Sequence, residues 1–160
     1  VLALLQQDLS ESGIDLIKDY DPSIPEISID IYLLEQSVLN LVKNAKESLE
    51  EGEVFSPEIR IVTRVLRQEF LGQTQHKTVC SISVADNGPG IPKDLKDSIF
   101  FPMISSKATG SGLGLSITQG IISQHNGIIK CKSEPGKTEF SILIPIKHQV
   151  HDQELRKANA

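Results

Sequence analysis

The chain predicts an α/β domain, and three observations carry that reading. A segment beginning at Asp30 repeats its apolar residues at helical spacing, with Leu34, Val38, Leu41, Ala45 and Leu49 on one stripe. Two pairs of strand-like runs follow it, Ile59–Val65 with Thr78–Ala85 and Ile128–Lys132 with Thr138–Ile144, rich in β-branched residues. Between the pairs, a Ser- and Gly-rich stretch enters a second helical segment, Leu113–His125. At 160 residues the chain can bury roughly two-thirds of its unfolded surface in one core.

Taken in order, Val1–Leu5 followed by Gln6, Gln7 and Asp8 is expected to be the tail of a helix that continues from something longer and stops near Ser12-Gly13. Ile14–Tyr20 has strand character, and Asp21-Pro22-Ser23-Ile24-Pro25 forces a turn. Asp30 is placed to cap the long helix, which Gly52–Pro57 ends. Leu66–Lys77 reads as an extended, polar hairpin tip. Asp86–Gly90 is a turn, Pro92 opens a short helix, and Phe100-Phe101-Pro102-Met103 leads into Ser105–Gly112, whose small residues predict mobility. Asn126-Gly127 closes the second helix, and Pro135-Gly136 is the dipeptide of a type II turn. Lys147–Ala160 is polar and expected to fray. The domain is therefore set at residues 13–147, with 1–12 ending a preceding helix or linker and 148–160 forming a tail. No internal repeat is visible.

Composition narrows the function classes. With 39% hydrophobic and 23% charged residues and no apolar run long enough to cross a bilayer, a soluble cytoplasmic protein with no membrane partner is expected. A net charge of −5 argues against nucleic-acid partners, whose binding draws on clustered Lys and Arg. Cys80 and Cys131 lie in no C-x-x-C or His-rich spacing and are expected to be buried packing residues.

Three short segments carry the chemistry. Asn40 and Asn44, four apart on the long helix, share a stripe with Glu47 and offer amide oxygens to a hard cation such as Mg²⁺; taken alone, such a pair is also what a solvated helix face carries. Asp86 follows Cys80, Ile82 and Val84 in strict alternation, so its carboxylate is aimed to the core side, where an adenine amine would supply the donor a buried acid needs. Asp-Asn-Gly is equally a turn signature, and Gly88 and Gly90 suit either a turn or a close backbone approach. Gly110-Ser111-Gly112-Leu113-Gly114-Leu115 runs into a helix, whose N–H groups and dipole favour phosphate. Neither a Rossmann fingerprint nor a P-loop is present. Lys107, just before the loop, is placed to reach a terminal phosphate.

As an ordered set, Asn40-Leu-Val-Lys43-Asn44-Ala45, Asp86-Asn-Gly-Pro-Gly-Ile91, Ile99-Phe-Phe-Pro-Met103, Gly110–Leu115 and Pro135-Gly-Lys-Thr-Glu-Phe140 resemble the nucleotide-binding boxes of sensor histidine kinases, in the gyrase, Hsp90, histidine kinase and MutL ATPase group. The likeness covers nearly everything from Asp30 to Ile146 and is greatest to nitrogen-regulation kinases of the NtrB type. It implies a two-layer sandwich of the Bergerat type, a mixed sheet covered on one face by helices, with ATP between helix and lid. It implies Mg²⁺ on Asn44 and Asn40, with Lys43 beside them. Asp86 would read the adenine amine, assisted through water by Thr138, with Gly88, Gly90 and Ile91 against the ring. Lys107 and the backbone of Gly110, Gly112, Leu113, Gly114 and Leu115 would hold the phosphates, and Met103–Gly112 would form the lid. Asn44 and Lys107 are the catalytic candidates.

The same resemblance implies phosphotransfer from ATP to a histidine on a separate dimerisation domain, and from there to a response regulator, with a PII-type signal protein as a further partner. The chain departs from the family pattern at Lys137, where most histidine kinases place glycine. His76, His125, His148 and His151 lack the surroundings of a phosphoacceptor, and His125 is placed in a last helical turn, where partial charge suits the dipole. The alternative is a nucleotide-responsive module that controls phosphatase activity through a partner. An anti-sigma-type serine kinase or chaperone-like ATPase would want a catalytic glutamate at a defined place on the Asn helix; Glu35 and Glu47 are both present, but Glu35 lies on a different face from Asn44.

Overall fold

The computed structural model describes residues 2–104 and 112–146. Strands β1 (Asp15–Asp19), β2 (Glu58–Leu71), β3 (Thr74–Asp86), β4 (Ile128–Glu134) and β5 (Lys137–Pro145) form one sheet in the order β1-β2-β3-β5-β4. β1 is parallel to β2, and the remaining pairs are antiparallel. Helices α1 (Leu2–Glu11), α2 (Ile31–Glu51) and α3 (Gly114–Gln124) all contribute to the main core against one face of this sheet. The architecture is the mixed two-layer sandwich expected.

The core follows from the two periodicities. α2 turns Leu41, Val42, Ala45 and Leu49 inward, while the sheet presents Ile59, Ile61, Cys80, Ile82, Val84, Ile142 and Ile144 from the same face. Full burial of each such Leu or Ile contributes about 1.5–3 kcal/mol. The sequence stripe is rotated slightly: Leu34 and Val38 are only partly buried, and Ser37 is fully buried, its hydroxyl donating to the Leu33 carbonyl at 2.9 Å. α1 reaches the same core through Leu9.

A parallel β1–β2 pair needs a crossover, which α2 supplies. Where β1 stops, Asp21 continues its work: its carboxylate accepts from Val65 N–H at 3.1 Å while its own N–H donates to Thr63 Oγ1 at 3.0 Å. Hydrogen bonds from the Ser23 hydroxyl and N–H, then from Val65, hold this carboxyl below the usual range.

All three helices end the same way. After α1, Ile14 N–H donates to the Leu9 carbonyl and Gly13 N–H to that of Ser10; after α2, Val54 donates to Leu49 and Glu53 to Glu50; after α3, Gly127 donates to Ile122 and Asn126 to Ser123. These are Schellman motifs, with the left-handed position held by Gly13, Glu53 and Asn126 at φ 69°, 47° and 58°. Asp30 caps the other end of α2, its Oδ1 accepting from Tyr32 N–H at 2.9 Å and Leu33 N–H at 3.2 Å.

Three expectations are corrected. The strands do not stop at Val65 and resume at Thr78 but run on to Leu71 and Thr74. Gln68, at φ 56°, interrupts the ladder where it would pair with Lys77. That kink brings Leu71 to the opposite face from the main core, where it packs with Leu66, Val79, Ile128 and Leu143 in a second cluster. An apolar Leu at the tip of a polar segment therefore closes a small core of its own. Pro92 opens no α-helix: Leu95, Ser98 and Phe101 donate to Pro92, Leu95 and Ser98, three residues back each time. Anchoring of Lys96 to the Ser133 carbonyl and burial of Ile99 hold this segment as successive turns. Cys80 is buried as expected but Cys131 only partly; burial pushes both thiols up, that of Cys131 to about 11, so neither is a thiolate near neutrality.

The rest of the second sheet face carries no helix among the described residues. It forms a shallow groove floored by Ser81, Ser83, Ala85 and Ser141, with the Ser83 and Ser141 hydroxyls 2.8 Å apart.

Glu53 occupies a backbone region that costs an L-residue with a side chain about 1 kcal/mol. Glu53→Gly is expected to raise stability by several tenths to about 1 kcal/mol, read from the midpoint of urea unfolding.

Candidate functional site

The site lies where α2, the end of β3, the β4–β5 hairpin and the start of α3 converge. α2 and α3 pack antiparallel, and Asn40 ties them: its Nδ2 donates to the Gly114 carbonyl at 3.0 Å and to Thr118 Oγ1 at 3.3 Å. The first and third sequence boxes, 74 residues apart, are thus in direct contact. With Nδ2 committed to α3, the orientation of Asn40 Oδ1 is fixed; a Cβ built on Gly114 would lie 3.2 Å from it. Asn44 follows one turn later, half-buried. Lys43 is exposed and 3.9 Å from Glu47, a solvated pair of little energetic weight.

Asp86 ends the central strand and is buried, at 6% exposure. Its Oδ1 accepts the Gly88 N–H at 2.9 Å, and a Cβ on Gly88 would stand 2.7 Å from that oxygen and 3.0 Å from Ser48 Oγ. A glycine here lets both the carboxylate and the Ser48 hydroxyl keep their places. Gly90, at φ 87°, lies against the Glu134 carbonyl, 2.8 Å from where its Cβ would be, and Gly136 N–H donates to the Gly88 carbonyl at 2.9 Å. The turn after β3 is therefore bound to the β4–β5 hairpin.

That hairpin also fixes the polar wall. Thr138 is buried and directly opposite Asp86 in the sheet; its Oγ1 is 2.9 Å from Ser133 Oγ, which accepts the Ile91 N–H at 2.8 Å. Ser133 and Ser48 are site residues that sequence reasoning missed. Ser133 was within reach, since a two-residue Pro135-Gly136 turn pairs 133 with 138. Asn87 serves the fold: its Oδ1 accepts from Glu58 N–H and its Nδ2 donates to the Ser56 carbonyl.

On the far side, Ile99 is buried and Phe100 packs edge-on to Phe140, with ring centroids 6.3 Å apart. Phe101, Met103, Ile104 and Leu113 remain exposed. Met103 N–H donates to the Gly112 carbonyl at 3.0 Å, both residues at φ 65°, so the two ends of the intervening segment are pinned together. A Cβ on Gly112 would meet the Met103 backbone at 2.7 Å. Lys107, Gly110 and most of the expected lid, like the tail after Ile146, lie outside the described residues. α3 begins at Gly114 with no side-chain cap, Leu115 half-buried behind it.

This arrangement suits a purine nucleotide. A buried carboxylate beside a cradle too tight for any Cβ fits an exocyclic amine, and an uncapped helix start fits phosphate. The described residues hold no cluster of three or more His, Cys, Asp or Glu side chains arranged for a metal. Asn44 and Asn40 fit Mg²⁺ only in company with phosphates, which is how that ion is usually held.

The sequence pattern of the histidine kinase-, DNA gyrase B- and HSP90-like ATPases matches residues 29–148, and the chain belongs to this family. Within it, the chain is 45% identical over 148 residues to the sensory histidine kinase/phosphatase NtrB of Salmonella typhimurium, covering 92% of this chain and 41% of the relative. Its likeness to the NtrB of Vibrio alginolyticus is 44% over 137 residues, 86% of this chain and 39% of the relative. The chain thus spans about two-fifths of the length of these relatives. Among solved structures, the nucleotide-free catalytic domain of histidine kinase ThkA superposes with TM-score 0.73 at 28% identity, covering 90% of this chain and 86% of that one. Full-length ShkA in complex with AMPPNP gives 0.72 at 26%, covering 90% and 28%.

Gly88→Ala is expected to destabilise the domain by about 1–3 kcal/mol, because its Cβ must displace Asp86 or Ser48; chemical unfolding with and without ATP would show the loss together with the loss of any ligand-induced stabilisation.

Proposed function

We propose that this chain is the ATP-binding catalytic domain of a two-component sensor histidine kinase acting in nitrogen regulation. The observation that carries the proposal is the Asn40–Gly114 contact, which brings the amide stripe of α2 to the uncapped start of α3 on the side of the sheet where Asp86 is buried. Family membership and the likeness to the NtrB kinases support it.

In this reading Asp86 accepts the adenine amine, with Thr138 and Ser133 as the polar wall behind it and Gly88, Gly90 and Ile91 forming the floor. The α3 N-terminus from Gly112 to Leu115, with Gly110 and Lys107, holds the phosphates. Asn44 and Asn40 hold Mg²⁺, which when bound neutralises charge on the phosphates. The chain's own work is positioning and charge neutralisation. The bond from the γ-phosphorus to ADP breaks as a bond to the imidazole nitrogen of a separate dimerisation domain forms, and a response-regulator aspartate takes the phosphoryl group next. In this reading the domain works in the cytoplasm, and a PII-type protein would act on the kinase–phosphatase balance. No helix among the described residues is long and apolar enough to cross a membrane.

The test is phosphotransfer in trans, from γ-labelled Mg-ATP to a separately made histidine-bearing dimerisation domain of the NtrB type. Label on that histidine is the expected outcome, and ATP binding without label would leave a nucleotide-gated module instead. Asp86→Asn is expected to abolish ATP binding while leaving cooperative unfolding intact; wild-type affinity by calorimetry would remove the adenine assignment. Asn44→Ala is expected to lose the Mg²⁺ dependence of ATP binding, and an unchanged metal titration would take Asn44 out of the site.

A further inference from the structure

His125 does something other than offer charge to a helix end. Its ring Nε2 lies 3.2 Å from Asp30 N, and its Nδ1 lies 2.9 Å from the Ile121 carbonyl. A peptide N–H can only donate, so Nε2 must carry the lone pair. The proton is then on Nδ1, where it serves the Ile121 carbonyl in the last turn of α3. Both ring nitrogens are used. Asp30 is likewise used at both ends, its carboxylate capping α2 and its N–H reaching α3.

α2 and α3 are therefore tied twice: Asn40 to Gly114 and Thr118 at the start of α3, and Asp30 to His125 at its end. Beyond the apolar packing the two helices share in the core, each tie fixes one end of α3 against α2. We propose that His125 is a positioning residue, which as its Nδ1–H tautomer clamps α3 to the cap of α2 and so fixes the distance from Asn44 to the phosphate-facing start of α3. The proposal rests on the ATP-binding reading for its functional effect, and on geometry alone for the clamp.

Long-range ¹⁵N–¹H correlation on uniformly labelled protein reads the tautomer directly. A pyrrole-like Nδ1 and a pyridine-like Nε2 at His125 are expected, the reverse of the tautomer free histidine prefers; an Nε2–H ring, or a rapidly averaging one, overturns the clamp. His125→Phe keeps the ring and removes both hydrogen bonds. It is expected to weaken Mg-ATP binding about tenfold while leaving adenosine binding unchanged, because Asp86 and its wall lie on β3 and the β4–β5 hairpin. His125→Gln, which restores one acceptor and one donor, is expected to recover part of the loss. Unchanged ATP affinity in His125→Phe, or an equal loss for ATP and adenosine, overturns the positioning role. Wild-type protein that binds neither ligand sinks the nucleotide reading itself, and the tautomer then decides the clamp on its own.

Discussion

The packing of α2 across β2 and β3 is the constraint on which the rest of the molecule depends. Leu41, Val42, Ala45 and Leu49 can be buried only if this helix lies flat on the sheet, and that orientation sets which stripe is left over. The leftover stripe carries Asn40 and Asn44. A helix with a wider apolar face would have buried them, and a narrower one would not have held the sheet. The same contact brings Gly52 and Ser48 against the turn after β3: a Cβ on Gly52 would meet Pro89 at 2.8 Å, and one on Gly88 would meet Ser48 at 3.0 Å. The carboxylate of Asp86 is thus enclosed by the element that also presents the amides.

The β4–β5 hairpin is the second organiser. Its tight turn fixes register, and register alone sets Thr138 opposite both Asp86 and Ser133. Through Gly90, Gly136 and Ser133 it holds the turn after β3 by backbone approach and hydrogen bonds, with Ile91 packed against the core. The polar wall of the site is therefore built mainly from backbone geometry, which is why two glycines and two small hydroxyl residues suffice.

Much of this was legible in the residues. The Asp30 cap of α2, the alternation that aims Asp86 inward and the Pro135-Gly136 turn are local patterns with local causes, each found where periodicity and turn chemistry put it, and the α2 stripe is found turned slightly, with Ser37 and Val42 buried in place of Leu34 and Val38. What escaped was set by distant partners. Continuation of β2 to Leu71 depends on Val79 and Leu143 offering a second core, and no window around residue 71 contains that information. The segment after Pro92 has helical composition but is drawn into turns by the hairpin it touches. His125 suggested a charge effect from its place in the helix, whereas its actual partner is the N–H of Asp30, 95 residues away.

The bond from Met103 N–H to the Gly112 carbonyl bears on how much change in chain length this fold can take. Because the neck is closed by main-chain atoms, the connecting segment enters and leaves the fold at one point, and the entropy of closing it grows only slowly with its length. Residues inserted or deleted beyond the neck need not disturb Phe100 on one side or Asn40 on the other. The neck therefore isolates the floor of the site from the length of the chain that joins Met103 to Gly112.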